Sequence, residues 1–231
     1  MSTLSSPILY FDNRSPPVRS VLLVINYLNI PVEYKLIDLF KVEHLKEEFL
    51  KINPFHTVPC LKHNELLLTD SHAILMYLCD FYGKGSLLEI KTEKDRALIM
   101  NFLMFNATIL FEREKIIMRK IFVTGSKEVD PKEVDAVEEA VDYLNKILGE
   151  SEFVAGNQVS IADLSIVASF STINLVLTFL EEKYQNVSKW FKKMKQLPCY
   201  EKGNQEGLNA LQEVMDNICQ GELKLKSKSE M

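Results

Sequence analysis

Arg14-Ser15-Pro16-Pro17-Val18-Arg19-Ser20 follows directly on the apolar run Ile8-Leu9-Tyr10-Phe11, and the reading of this junction decides the fold. The apolar run has the length of a strand and stops at Asp12-Asn13. A helical pattern begins at Val18: Val18, Leu22, Ile25 and Leu28 recur at helical steps, with Val21 and Val24 beside them. Ser15 stands where a helix N-cap belongs, and Pro16 sits in the first turn, where a missing N–H is harmless. The junction therefore predicts a strand over 7–11 and a helix over 16–29. A hydroxyl here meets the positive end of a helix dipole, a place to hold an anion or a thiolate. The same serine serves equally well as a plain cap.

Working outward, Asn29-Ile30-Pro31 ends the helix, because Pro31 disfavours helix at the residue before it. Val32-Glu33-Tyr34-Lys35-Leu36 alternates with period two and predicts a half-exposed strand. Strand, helix, strand in so short a span is a βαβ unit with parallel strands. A short charged helix is expected over 43–51, turning Leu45, Phe49 and Leu50 inward, and Asn53-Pro54 breaks it. Thr57-Val58-Pro59-Cys60-Leu61 and Glu65-Leu66-Leu67-Leu68 flank Lys62-His63-Asn64 as a β-hairpin. Pro59 marks either a cis peptide that bares backbone to a ligand or an ordinary edge proline. Thr69-Asp70-Ser71 opens a helix over 71–82. The order β-α-β-α-β-β-α fits a thioredoxin-like layer with a mixed sheet.

Composition shifts at Gly83-Lys84-Gly85-Ser86, after which strand signals stop. Helical patterns follow over 91–122, 131–149, 160–180, 187–196 and 201–219. Ser160 and Asp163 form a capping box, with Val159 and Leu164 as its hydrophobic staple. The next segment is apolar almost all round, as in a helix buried inside a bundle. The fold class is thus α/β plus all-α. A thioredoxin-like domain covers 1–83, a linker 84–90 and an all-helical domain 91–220, and a basic tail over 221–231 is expected to be disordered.

The 231 residues are enough for two cores. A formal net charge of −5 argues against a nucleic-acid binder. No apolar stretch reaches membrane-span length and no signal pattern is present, so the expectation is a cytoplasmic protein without a membrane span. Cys60, Cys79, Cys199 and Cys219 are far apart and read as free thiols, and no metal site is expected.

Several motifs resemble the cytosolic glutathione transferases, in family order and spacing over nearly the whole chain. They are Ser15-Pro16-Pro17-Val18-Arg19, His44-Leu45, Asn53-Pro54-Phe55-His56-Thr57-Val58-Pro59, Asp70-Ser71-His72-Ala73-Ile74 and Ser160-Ile161-Ala162-Asp163. Within that family the chain resembles the insect delta/epsilon group, which uses a serine near the N-terminus. The resemblance implies glutathione as co-substrate and a homodimer. It makes Ser15 the catalytic residue, whose hydroxyl donates to the glutathione thiolate. Glutathione would also meet Pro17, His44, His56, Thr57, Val58, Pro59, Asp70, Ser71 and His72. His44 and His56 would take the glycyl carboxylate, Asp70 and Ser71 the γ-glutamyl end, and Val58 the cysteinyl backbone.

A hydrophobic site would lie between the domains. Its expected lining is Phe40, Phe111, Glu114, Lys115, Met118, Phe122, Ser171, Thr172, Leu175 and Phe179, although each aromatic has a plain packing role as its alternative. Glu114 stands out, since a carboxylate in an apolar cleft is costly unless something uses it. It is either a solvated helix charge or an acceptor for a ligand hydroxyl. Resemblance to an epsilon-related subgroup that acts in ecdysteroid biosynthesis implies a steroid or sterol-like ligand. A general detoxifying transferase and a non-catalytic steroid carrier are the competing readings. Glutaredoxin-like chemistry is disfavoured, since Ser15 stands where a cysteine would be needed.

Overall fold

A computed structural model describes residues 6–125, 128–177, 179 and 181–219. The tail expected over 221–231 lies outside the described residues. The N-terminal half is a mixed sheet in the order β2-β1-β3-β4, formed by β1 (Ile8–Phe11), β2 (Glu33–Leu36), β3 (Cys60–His63) and β4 (Leu66–Leu68). β1 runs parallel to β2 and antiparallel to β3, as the βαβ unit and the hairpin require. Helix α1 (Pro16–Leu28) follows β1, and α3 (Ser71–Tyr82) follows β4. α1 closes on Asn29, which adopts the left-handed conformation that asparagine tolerates.

Local readings shift in three places here. Residues 39–50 form short 3₁₀ turns and a one-turn α2 (Glu47–Leu50) rather than one helix. Of its three expected inward residues, Phe49 is buried and Leu50 half-buried, but Leu45 is 51% exposed. A single turn presents one side chain to a core, and Phe49 takes the place against Tyr10. β2 is exposed along its whole length rather than by alternation, because it is an edge strand. The hairpin turns at Asn64-Glu65, with Asn64 at φ 54°, so Lys62 and His63 belong to β3. The Val58–Pro59 peptide is cis.

The second half is helical: α4 (Glu93–Phe105), α5 (Phe111–Thr124), α6 (Pro131–Glu150), α7 (Ile161–Val176), α8 (Gln185–Lys195) and α9 (Glu206–Cys219). The helix expected over 91–122 is interrupted by a π segment, Asn106–Leu110, which divides α4 from α5. A second π segment, Glu201–Gln205, leads into α9. α7 stops at Val176, short of the expected 180. Among the described residues no helix is long and apolar enough to cross a membrane.

α1 explains how the halves join. It packs against α3 on one side and against α7 and the second π segment on the other. Val18, Val21, Leu22, Leu23, Val24 and Ile25 are accordingly all buried. Gly203 permits this contact: a Cβ there would stand 2.8 Å from Leu23 Cα. The start of α1, with Ser15, therefore lies at the seam.

Candidate functional site

Ser15 is the N-cap of α1 in extended conformation, yet its side chain makes no capping hydrogen bond. Pro16 and Pro17 occupy the first helical positions and have no N–H to offer. The hydroxyl thus stays available at the positive end of a helix otherwise short of donors. It opens on a cleft of about 440 Å³ at the seam.

The turn carrying Ser15 is tightly held. Asp12 is fully buried and accepts from Arg14 N at 3.0 Å, Arg14 Nε at 2.8 Å and Leu39 N at 3.0 Å. Arg14 Nη2 bridges Asp12 and Asp38, each at 2.6 Å. The hydrogen bond from Arg14 pulls the Asp38 carboxyl down to about 2. Asp38 in turn caps the 39–41 turn through Phe40 N and Lys41 N.

Every residue expected to meet glutathione lines this one cleft: Ser15, Pro17, His44, His56, Thr57, Val58, Pro59, Asp70, Ser71 and His72. The His44 and His56 rings stand 6.2 Å apart, and His44 Nδ1 is buried without a partner. Burial, followed by the neighbouring His56, lowers the His44 pKa. Asn53 shapes the loop between them by donating to Thr57 O and Thr57 Oγ1 at 2.9 and 3.0 Å. Asp70 caps α3, its Oδ1 accepting from His72 N at 2.9 Å and Ala73 N at 3.1 Å. A hydrogen bond with His72, aided by these N–H groups, holds Asp70 below the usual carboxylate range. Ser71 stands at the first position of that helix, where an anion is favoured.

The opposite wall comes from the helical half, and sequence reasoning missed much of it. Asn106 of the first π segment donates to Ser165 Oγ at 2.8 Å, and Ser165 Oγ lies 3.1 Å from His72 Nε2. Asn106, Ser165 and Ser169 all line the cleft. A polar residue amid the apolar run Phe102–Leu110 was the available signal for Asn106.

The expected hydrophobic set does not gather in one place. Phe111 and Lys115 line the cleft. Phe40 lies under the Arg14 guanidinium at 4.5 Å and against Phe122 at 5.5 Å, joining the halves beside it. Ser171 and Thr172 point elsewhere: Thr172 Oγ1 accepts from Arg19 of α1, and Ser171 Oγ accepts from Asn204 of the second π segment at 3.1 Å. Phe179 stacks on Phe170 and meets Tyr184, and Leu175 is half-buried against the core. These four lie outside the cleft lining, as do Phe40, Glu114, Met118 and Phe122; α7 gives the cleft Ser165 and Ser169 instead.

Glu114 is 2% exposed, so the solvated-charge alternative fails. It borders a crevice with Ile117, Met118, Ile173, Val176 and Leu177 that leaves no room for water. Its Oε2 has no hydrogen-bond partner. Burial pushes its pKa up, opposed by the Arg19 charge and by a hydrogen bond with Ser169. Among the described residues no group of three or more His, Cys, Asp or Glu is placed to hold a metal ion.

Residues 9–86 match the glutathione S-transferase N-terminal domain and 97–198 the glutathione S-transferase C-terminal domain. Glutathione S-transferase 1 of Manduca sexta is 38% identical over 201 residues, 86% of this chain and 92% of that protein. An epsilon-class glutathione S-transferase from the housefly, Musca domestica, superposes with a TM-score of 0.88 at 36% identity, covering 92% of this chain and 98% of that one. A glutathione transferase homolog from Drosophila mojavensis, with bound glutathione, gives a TM-score of 0.88 at 35% identity over 95% and 99% of the two chains.

Proposed function

This chain belongs to the glutathione S-transferase family, and we propose that its cleft holds glutathione with the thiol at Ser15 for conjugation to hydrophobic electrophiles. It is a glutathione transferase of the insect delta/epsilon kind with glutathione as co-substrate. The observation that carries the proposal is the uncommitted Ser15 hydroxyl at the start of α1, in a cleft that His44, His56 and Ser71 also line. A free thiol ionises near 8.5, and a helix N-terminus with a donated hydrogen bond lowers that value. The thiol proton leaves to solvent, the Ser15 O–H donates to the sulfur, and the thiolate forms the S–C bond as the electrophile's leaving group departs with its electron pair, or as its π pair shifts and takes a proton from solvent. His44 and His56 take the glycyl carboxylate. Ser71 takes the γ-glutamyl carboxylate, and Asp70 Oδ2 remains for the ammonium while Oδ1 caps α3. Val58, beside its cis peptide, presents backbone to the cysteinyl part as an added strand would.

The hydrophobic site is read as one that accommodates a steroid or sterol, with a role in ecdysteroid biosynthesis. Leu68–Leu75, Ala162–Val167 and Phe170–Leu175, with the Ser15 stretch, resemble Noppera-bo, the epsilon-related insect transferase of that pathway. The orphaned Glu114 Oε2 beside an apolar crevice is what a steroid hydroxyl would satisfy, and admitting one requires the closed crevice to open. The same closed crevice favours a second reading, a general detoxifying transferase with Glu114 walled off from its substrates. We further assign domains 1–83 and 91–220 with a linker at 84–90, a cytoplasmic place of action, and a homodimer. Exposed Leu66, Leu67, Phe81 and Met104 support the homodimer.

The test titrates 17β-estradiol against conjugation of a generic electrophile in wild type, Ser15→Ala and Glu114→Ala. Ser15→Ala should lose about ten- to a hundredfold in rate at neutral pH, the worth of a hydrogen bond to a charged group. Glu114→Ala should keep basal conjugation while inhibition weakens by roughly tenfold. Equal, poor inhibition of wild type and Glu114→Ala would leave the detoxifying reading in place.

A further inference from the structure

The Ser15 turn is held from the opposite half of the molecule. Arg14 O, the carbonyl of the peptide that carries Ser15, accepts from Arg19 Nη1 at 2.9 Å. Arg19 is fully buried, and its other N–H groups end on the helical half. Nε donates to Asn204 Oδ1 at 2.9 Å, and Nη2 donates to Ala168 O at 3.1 Å and to Thr172 Oγ1. α9 also reaches the turn directly: a Cβ on Gly207 would stand 2.1 Å from Asn13 O and 3.0 Å from Arg19 Cδ. Arg19, Thr172, Asn204 and Gly207 do not line the cleft, so none is placed to touch a substrate there.

A buried guanidinium is an expensive way to pack two helices, and an apolar side chain of like volume would do so at lower cost. What a guanidinium adds is a rigid planar fork that fixes several acceptors relative to one another. Here those acceptors are the Arg14 carbonyl on one side and α7 and the second π segment on the other. A displacement of about an ångström at a reacting group far from the altered residue is enough to lose most of a rate.

We propose that Arg19, gripped by Thr172 and Asn204, is a positioning residue that holds the Ser15 hydroxyl at the bound thiol. The thioredoxin-like half then activates glutathione only while docked on the helical half. The inference rests on the reading of Ser15 as the thiolate's donor.

The experiment follows the ultraviolet absorbance of the thiolate of bound glutathione against pH in the full-length protein. Variants are Thr172→Val, Asn204→Ala, their combination, Ser15→Ala, and Leu144→Ala as a control that opens a cavity under α6, away from the clamp. The double variant is expected to move the thiol pKa back toward that of free glutathione. Conjugation should fall about tenfold at neutral pH for each unit of that move and recover at higher pH, with KM for glutathione changed less than about twofold. Leu144→Ala should lower the unfolding temperature and leave the thiol pKa alone. If the double variant loses stability but keeps the wild-type thiol pKa, Arg19 is structural only and the inference fails. If Ser15→Ala itself leaves the thiol pKa unmoved, the donor reading falls first, whatever the clamp does.

Discussion

Glu114 and Arg19 show what single residues decide in this molecule. Both are buried, and Glu114 carries an oxygen without a partner. Burial raises the carboxyl's pKa in the folded protein, and the Arg19 charge offsets part of that rise. The unfolded carboxyl returns to its ordinary 4.5. Above that pH the unfolded chain has released a proton that the folded chain still binds, so wild-type stability falls as pH climbs toward the raised value. Below it both states are protonated and the penalty is absent. Glu114→Gln mimics the protonated acid and should match wild type in mildly acidic buffer. It should then exceed wild type by a margin that widens into the alkaline range, read as unfolding temperature against pH. A margin that shrinks or reverses with rising pH would mean that Arg19 outweighs burial. The residues of the cleft's first wall were legible in the sequence because short motifs carry them: Ser15 with its prolines, His56 to Pro59, and Asp70 to His72. Arg19, Asn106 and Ser169 were not, since their meaning comes from residues far away in the chain. Ser171 and Thr172 were misplaced for a related reason: an all-round apolar helix gives no periodicity from which to tell its faces apart.

At the scale of elements, local chemistry fixes the start of α7 through a single carboxyl. Asp163 Oδ2 accepts from Ser160 N at 3.0 Å, one arm of the expected capping box, and from Ser160 Oγ at 2.7 Å. Its Oδ1 accepts from Val154 N at 2.9 Å and Trp190 Nε1 at 3.0 Å, tying the preceding loop and α8 to the same carboxyl. Asp163→Ala strands several buried donors, each costing about 1–3 kcal/mol, so a loss of roughly 3 kcal/mol or more is expected in urea unfolding. Ser160→Ala removes one partner and should cost about 1 kcal/mol, as cap deletions do. Similar, small losses for both would show that Asp163 acts as a plain cap. The capping box was readable because it is contiguous, whereas the ties to Val154 and Trp190 depend on how loop and helix fold back. Start signals likewise found α1, α3 and α6, while interruptions such as the π segment at Asn106 left no contiguous mark. The end of α7 was overextended because apolar residues continue past Val176 into chain that no longer follows the helix.

For the molecule as a whole, α1 decides whether the two halves behave as separate bodies. It packs against α3 of the sheet half and against α7 and the second π segment of the helical half. Removing the helical half would strip cover from an already buried helix and leave the Arg19 cation without Thr172, Ala168 and Asn204. An uncompensated buried charge is strongly destabilising, so the sheet half should not outlast its partner. Equilibrium unfolding should therefore be a single cooperative step despite the two-part architecture. The chain offers a probe in each part: Trp190, the single tryptophan, is buried in α8, and Cys60 is fully buried in β3. Tryptophan fluorescence and the extent of Cys60 alkylation, followed across one denaturant series, should give coincident midpoints. Cys60 reacting while Trp190 still reports native packing would show that the sheet half opens alone. Ser15 would then lose its clamp before the helical half unfolds, and thiol activation should disappear at the earlier transition.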